Sequence, residues 1–172
     1  MVTLKNNTVA LVGMMGCGKT SVGRMLAKKL GARFIDLDEE IAARHGELRQ
    51  VFAKLGEEEF RILEFSVLKE ITDSIKGELT VLSLGGGTPT YEPSRRLICE
   101  RATVVWLRRS AESVVANARV LSRPPICGDA DKYRRTLTER YPIYKAMAEF
   151  AFYNTFPQRT AREIIKKIFL QK

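Results

Sequence analysis

The sequence predicts a three-layer α/β fold, a five-stranded parallel sheet with helices on both faces. Three observations carry this expectation. Short apolar runs alternate with helical patterns along the chain, the order that a parallel sheet with crossover helices requires. The first run leads into Gly13-Met14-Met15-Gly16-Cys17-Gly18-Lys19-Thr20, an unbroken match to G-x-x-x-x-G-K-[ST]. A helical face formed by Val22, Met25, Leu26 and Leu30 follows at once, completing the strand, glycine loop and helix of a phosphate-binding P-loop.

Taken in order, residues 8–12 form the first strand, and Gly31 ends the helix that follows the loop. Residues 33–36 read as a second strand. A short helix covers 38–45 and ends at Gly46, and a second helical piece covers about 48–54. Gly56 punctuates. Phe60, Leu63, Val67, Leu68 and Ile71 then mark one face of a longer helix. Residues 80–84 are a strand running into Gly85-Gly86-Gly87. Pro93 starts a helix to about residue 100, residues 103–107 are the fourth strand, and Ser110 caps the next helix. From about 119 to 131 the pattern breaks into loop chemistry, with Arg123-Pro124-Pro125 and Gly128-Asp129. A helix is expected from Tyr133, kinked or interrupted at Pro142. Residues 151–153 form the last strand. Thr160-Ala161-Arg162-Glu163 reads as a capping box opening a final helix with Ile164, Ile165, Ile168 and Phe169 inside.

The chain of 172 residues suits one domain, 1–172, with a real core. Hydrophobic content of 45% and charged content of 28% are ordinary for a globular protein. No apolar run approaches the roughly 20 residues that span a bilayer, and the N-terminus leads straight into the first strand, so no membrane segment or signal peptide is expected. Cys17, Cys99 and Cys127 are an odd count without metal-type spacing, which points to free thiols in a reducing cytoplasm. The one histidine, His45, reads as a helix-end residue and excludes a histidine-rich metal site. Net charge is +9 but scattered, with no long basic run and no aromatic-interleaved stripe. That favours small anionic ligands over nucleic acid.

In the glycine loop, backbone N–H groups would face phosphate oxygens, Lys19 would bridge the outer phosphates and the Thr20 hydroxyl would ligate Mg²⁺. Four further clusters bear on the acceptor. Asp36-Leu37-Asp38 closes the second strand, where alternation puts both carboxylates on one side. They would hold Mg²⁺ through water and accept a hydrogen bond from an attacking hydroxyl, or Asp38 would simply cap the next helix. Arg61, with Glu57 and Glu64 a turn away on either side, is a surface ion-pair member or a carboxylate binder held by Glu64. Gly85, Gly86 and Gly87 form a turn or allow close approach of backbone to ligand. Arg123, in a candidate lid over about 119–132, and Arg140, before Tyr141-Pro142, are anion contacts or exposed surface.

Together these segments resemble the shikimate kinases, small P-loop kinases of the nucleoside-monophosphate-kinase-like fold. The resemblance runs from about Val9 to Ile168. It rests on the glycine loop continued by Ser21-Val22-Gly23-Arg24, on residues 34–38, Val51-Phe52, residues 56–64, Ser83 through Gly87, Trp106-Leu107, Arg123-Pro124 and residues 140–144. It implies an ATP-dependent kinase that converts shikimate to shikimate 3-phosphate in aromatic amino acid biosynthesis, with Mg²⁺ as cofactor. Nothing in the sequence demands more than a monomer. Substrate-binding helices would cover about 37–72. ATP would sit on Gly16, Cys17, Gly18, Lys19, Thr20 and Ser21, with Mg²⁺ on Thr20 and, through water, on Asp36. Asp38 would hold the shikimate hydroxyls, Arg61 and Arg140 its carboxylate, and Gly85 to Gly87 would lie against the ring. Arg123 would swing in with the lid, and Arg119 and Arg159 would contact adenine. The catalytic set is then Lys19, Asp38 and Arg123. The chain departs from the pattern at Pro125, where an apolar residue is usual, and in lacking the proline usual just before the last helix. Cys17 stands where the family carries a small residue, and is either a tolerated small side chain or a thiolate stabilised by the helix N-terminus. A gluconate kinase is the near alternative, and a nucleotide-regulated nucleic-acid binder the distant one.

Overall fold

The computed structural model describes residues 3–116 and 129–170. Five parallel strands, β1 (Thr8–Val12), β2 (Arg33–Asp36), β3 (Thr80–Ser83), β4 (Thr103–Arg108) and β5 (Phe150–Tyr153), form one sheet in the order β2-β3-β1-β4-β5. The helices are α1 (Lys19–Leu30), α2 (Leu37–His45), α3 (Leu48–Ser74), α4 (Glu92–Arg101), α5 (Ala111–Val115), α6 (Ala130–Met147) and α7 (Pro157–Ile164).

Strand alternation sorts the core into two layers. Ala10, Val12, Leu82, Leu84, Val104 and Trp106 pack on one face with Ile41, Val67, Leu68, Ile71, Ile98, Tyr133, Tyr144 and Met147. Val9, Leu11, Val81, Val105 and Leu107 pack on the other with Val22, Leu26, Ala27, Ala161, Ile164 and Ile168. Strands β1 and β3 and nearly all of β4 thus bury both sides, which is why their runs read as continuously apolar, whereas edge strand β5 alternates half-buried Phe150 and Phe152 with exposed Ala151 and Tyr153. All strands are parallel, so their carboxyl ends, where ligands bind in such sheets, share one edge.

The expected elements form, with shifts at several of their ends. Helix α2 begins at Leu37, one residue early, because Asp36 rather than Asp38 is its cap, accepting from Asp38 N–H at 3.1 Å. Helix α3 contains both expected pieces, separated by non-helical backbone at Gly56 (φ 77°, ψ 177°). Helix α6 begins at Ala130 rather than Tyr133, since Asp129 accepts from the Lys132 N–H at 2.8 Å. Residues 130–132, assigned to the lid from the sequence, are therefore helical. Pro142 does not end α6: buried Tyr133, Tyr144 and Met147 anchor the helix on both sides of it. Helix α7 starts at Pro157, not at Thr160, because proline at the first turn forgoes no hydrogen bond. The expected capping box does not form. Thr160 lies inside α7, and its hydroxyl turns to Asn154 and to Phe156 O. Among the described residues, no helix is long and apolar enough to cross a membrane.

Candidate active site

The loop after β1 turns through left-handed glycine conformations, with φ 77° at Gly16 and 94° at Gly18, the cap of α1. A Cβ at Gly18 would overlap the Asn154 amide, so only glycine fits there. Lys19 is buried, and its ammonium donates to Gly13 O (2.8 Å) and Met14 O (3.0 Å), which holds a cation across the loop. The Thr20 hydroxyl donates to Asp36 Oδ2 at 2.7 Å. Hydroxyl and carboxylate oxygens are the hard donors that Mg²⁺ prefers. Among the described residues, no group of three or more His, Cys, Asp or Glu side chains could hold a metal. An ion at Thr20 and Asp36 would draw its remaining ligands from water and phosphate, as Mg²⁺ usually does.

The second half of the site surrounds Gly85. A Cβ there would lie 2.8 Å from Glu64 Oε1, 2.9 Å from Asp38 Oδ1 and 2.9 Å from Thr88 Oγ1, so three oxygen-bearing side chains from α2, α3 and the turn after β3 converge on it. The alternation argument for Asp36 and Asp38 does not hold, because β2 ends at Asp36. The turn into α2 sends Asp36 toward Thr20 and Asp38 toward Gly85 instead.

Glu64 is 1% exposed. Its Oε2 accepts from Arg61 Nη1 at 2.8 Å and its Oε1 from the Thr88 hydroxyl at 2.7 Å. Arg61 is only 12% exposed, so the surface ion-pair reading fails. Its guanidinium lies against Gly87, where any Cβ would overlap it, and its Nε is buried without a hydrogen-bond partner. The structure brings Arg140 to the same place. Its guanidinium lies close enough to the Tyr144 phenol, one turn along α6, for its charge to act on it, and that phenol donates to Gly86 O. Burial pushes the Tyr144 phenol well up, and the charges of Arg140 and Arg61 oppose it only in part, so the hydroxyl remains a donor. Gly86 joins the two halves: a Cβ there would be 3.0 Å from Met15 N in the phosphate loop.

Several supporting residues were not singled out from the sequence. Thr88 directly follows Gly85–Gly87, and Tyr144 closes the segment 140–144, four residues past Arg140, without having been given a role. Tyr133, whose hydroxyl donates to Met15 O at 3.2 Å, and Asn154, whose amide donates to Cys17 O at 2.7 Å, carried no local signal.

Other expectations resolve differently. Cys17 is 1% exposed, and burial pushes its thiol up more strongly than Lys19 and Arg109 lower it. The thiolate reading is overturned, and Cys17 is a small core side chain under the loop. Arg159 is exposed and pairs with Glu163 on α7 at 2.8 Å. Ser21 is exposed on α1, and His45 is the exposed last residue of α2. Arg119, Arg123, Pro125 and Cys127 lie outside the described residues.

The shikimate kinase family model matches residues 15–170. The chain belongs to the shikimate kinase family. A shikimate kinase of Neisseria gonorrhoeae is 35% identical over 167 residues, covering 95% of this chain and 96% of its own length. Among solved structures, a shikimate kinase from Acinetobacter baumannii in complex with shikimate superposes with a TM-score of 0.87 at 34% identity, over 96% of this chain and 94% of that one. The Aquifex aeolicus shikimate kinase gives 0.77 at 31% identity, over 93% and 94%. A gluconokinase from Sinorhizobium meliloti reaches 0.63 at 18% identity, over 94% and 90%, a likeness of fold alone. Membership makes the chain an ATP-dependent phosphotransferase of the shikimate pathway.

Proposed function

We propose that this site transfers the γ-phosphoryl group of ATP to the 3-hydroxyl of shikimate, giving shikimate 3-phosphate. The observation that carries the reading is the buried Glu64–Arg61 pair beside Asp38 and Gly85, a short step from the phosphate loop across Gly86. Arg61 and Arg140 supply guanidinium forks for a carboxylate. Gly85, Gly86 and Gly87 let Asp38, Glu64, Arg61 and the phosphate loop come close to the backbone; the ring would lie against this turn, and Asp38 would accept from the hydroxyl that attacks. Phosphoryl transfer asks mainly for positioning and charge neutralisation. Residues 16–21 would cradle the phosphates, with Lys19 on the outer ones. Mg²⁺, held by Thr20 and through water by Asp36, would neutralise phosphate charge. Arg123 would close with a lid between α5 and α6, and Arg119 and Arg159 would flank adenine. The substrate-binding helices, about 37–72, belong to the same single domain as the core. The enzyme is read as a cytoplasmic monomer, and free Cys17 and Cys99 fit a reducing compartment.

The test is coupled ADP release with Mg²⁺·ATP and each of two hydroxy acids. Turnover that requires shikimate is expected. Turnover of gluconate without turnover of shikimate would sink the proposal.

A further inference from the structure

The Asn154 side chain, at the end of β5, is 1% exposed yet touches the phosphate loop 137 residues away in sequence. Its Nδ2 donates to Cys17 O at 2.7 Å, its backbone N–H donates to Arg108 O at 2.7 Å, and its Oδ1 accepts from the Thr160 hydroxyl at 2.9 Å. Thr160 is itself 1% exposed. The orientation of the amide is determined by chemistry. A carbonyl only accepts, so the nitrogen must face Cys17 and the oxygen must face the hydroxyl.

We propose that Asn154 is a positioning residue for the phosphate loop, acting through the Cys17–Gly18 peptide and held in register by Thr160. A trans peptide points its C=O and N–H in opposite directions. Asn154 ties the Cys17 carbonyl to the buried side, so the Gly18 N–H must point the other way, out of the core at the start of α1. The Gly18 N–H thereby joins the free N–H groups of the first turn of α1, the donors that an anion at a helix N-terminus uses. The left-handed Gly18 (φ 94°) has no side chain to hold its own conformation, so the restraint comes from outside the loop. The close fit of the amide against Gly18, with no space for a Cβ, makes that restraint stiff. Nucleotide affinity thereby depends on the β5–α7 junction. The inference rests on residues 13–20 being the ATP phosphate site.

The decisive variants are Asn154→Asp, nearly isosteric but unable to donate when ionised, and Thr160→Val, which keeps Asn154 but removes the hydroxyl that orients it. Direct titration with ATP and with shikimate, beside thermal melting, reads them out. Asn154→Asp is expected to raise the Kd for ATP about tenfold, as for a lost buried hydrogen bond that preorganises a site, and to leave the Kd for shikimate within about twofold. Thr160→Val is expected to raise the ATP Kd about threefold, and Thr160→Ser to restore it. An ATP Kd for folded Asn154→Asp within about twofold of the parent, or equal losses for both ligands, would overturn the proposal. If Asn154→Asp does not fold, the Thr160 pair decides in the same way. Lys19→Ala separates the two layers of the argument. Undiminished ATP binding in Lys19→Ala would overturn the phosphate-loop reading itself. Loss in Lys19→Ala with none in Asn154→Asp would overturn only the role of Asn154.

Discussion

The phosphate loop and the pocket around Gly85 share the carboxyl edge of one sheet, but they are built from different materials. The loop is one continuous segment, residues 13–20, whose working groups are backbone N–H donors and a lysine. The pocket is gathered from α2, α3, the turn after β3 and α6, and its working groups are charged side chains. A backbone device is encoded locally and tolerates neighbours such as Cys17. A side-chain device depends on the desolvation of each member, so removing one strands another. The pocket should therefore be the more fragile of the two, and the one in which single substitutions separate binding from chemistry.

The largest break is expected at Asp38. Replacement by Asn should lower kcat about a hundredfold or more while ATP still binds, as for the loss of a positioned acid–base group. Steady-state kinetics with ATP titration checks it, and near-normal kcat would leave Asp38 only a place in the first turn of α2. Next comes Glu64. Its replacement by Ala leaves the largely buried Arg61 only its longer pair with the exposed Glu57, at 3.6 Å, which should cost about 3 kcal/mol of stability by denaturant unfolding. Arg140→Ala should weaken shikimate binding by about 2–5 kcal/mol and spare ATP. Equal loss for both ligands in that variant would assign Arg140 to folding. Thr88→Val removes the hydroxyl bonded to Glu64 and should raise the shikimate KM by an amount equivalent to about 1 kcal/mol, with kcat nearly kept.

The smallest effect belongs to the loop side and concerns pH. The Cys17 thiol is pushed above its ordinary value of 9.0 by burial. The unfolded chain then releases that proton first, so its contribution to stability is whole below about pH 9 and declines above it, by at most about 1.4 kcal/mol per pH unit. Cys17→Ala should show a shallower alkaline decline than the parent between pH 8 and 10. Parallel profiles would mean that the thiol ionises freely in the folded protein.

The same contrast explains what was legible in the sequence. Strands buried on both faces announce themselves as apolar runs, and the glycine loop is a contiguous pattern, so the sheet, its order of elements and Lys19 with Thr20 could be read directly. Arg61 could not be distinguished from a surface ion-pair member by spacing alone, because its i,i+3 relation to Glu64 is the same in both cases. Burial decides between them, and burial is a property of the assembled fold. Family resemblance supplied that assignment where the residues alone left it open. Asp36 rather than Asp38 takes the capping role because the strand ends at Asp36, two residues before alternation would have brought Asp38 to the same side. Asn154 and Tyr133 were invisible for a simpler reason. Their partners are loop carbonyls more than 100 residues away, at separations of 137 and 118, and no local pattern marks them.

The division of labour between the halves is tested most directly by a crossed titration of Lys19→Ala and Arg61→Ala with ATP and with shikimate. The account predicts that Lys19→Ala loses ATP affinity and keeps shikimate, while Arg61→Ala loses shikimate affinity and keeps ATP. Loss of both ligands in both folded variants, or the reverse assignment, would contradict it.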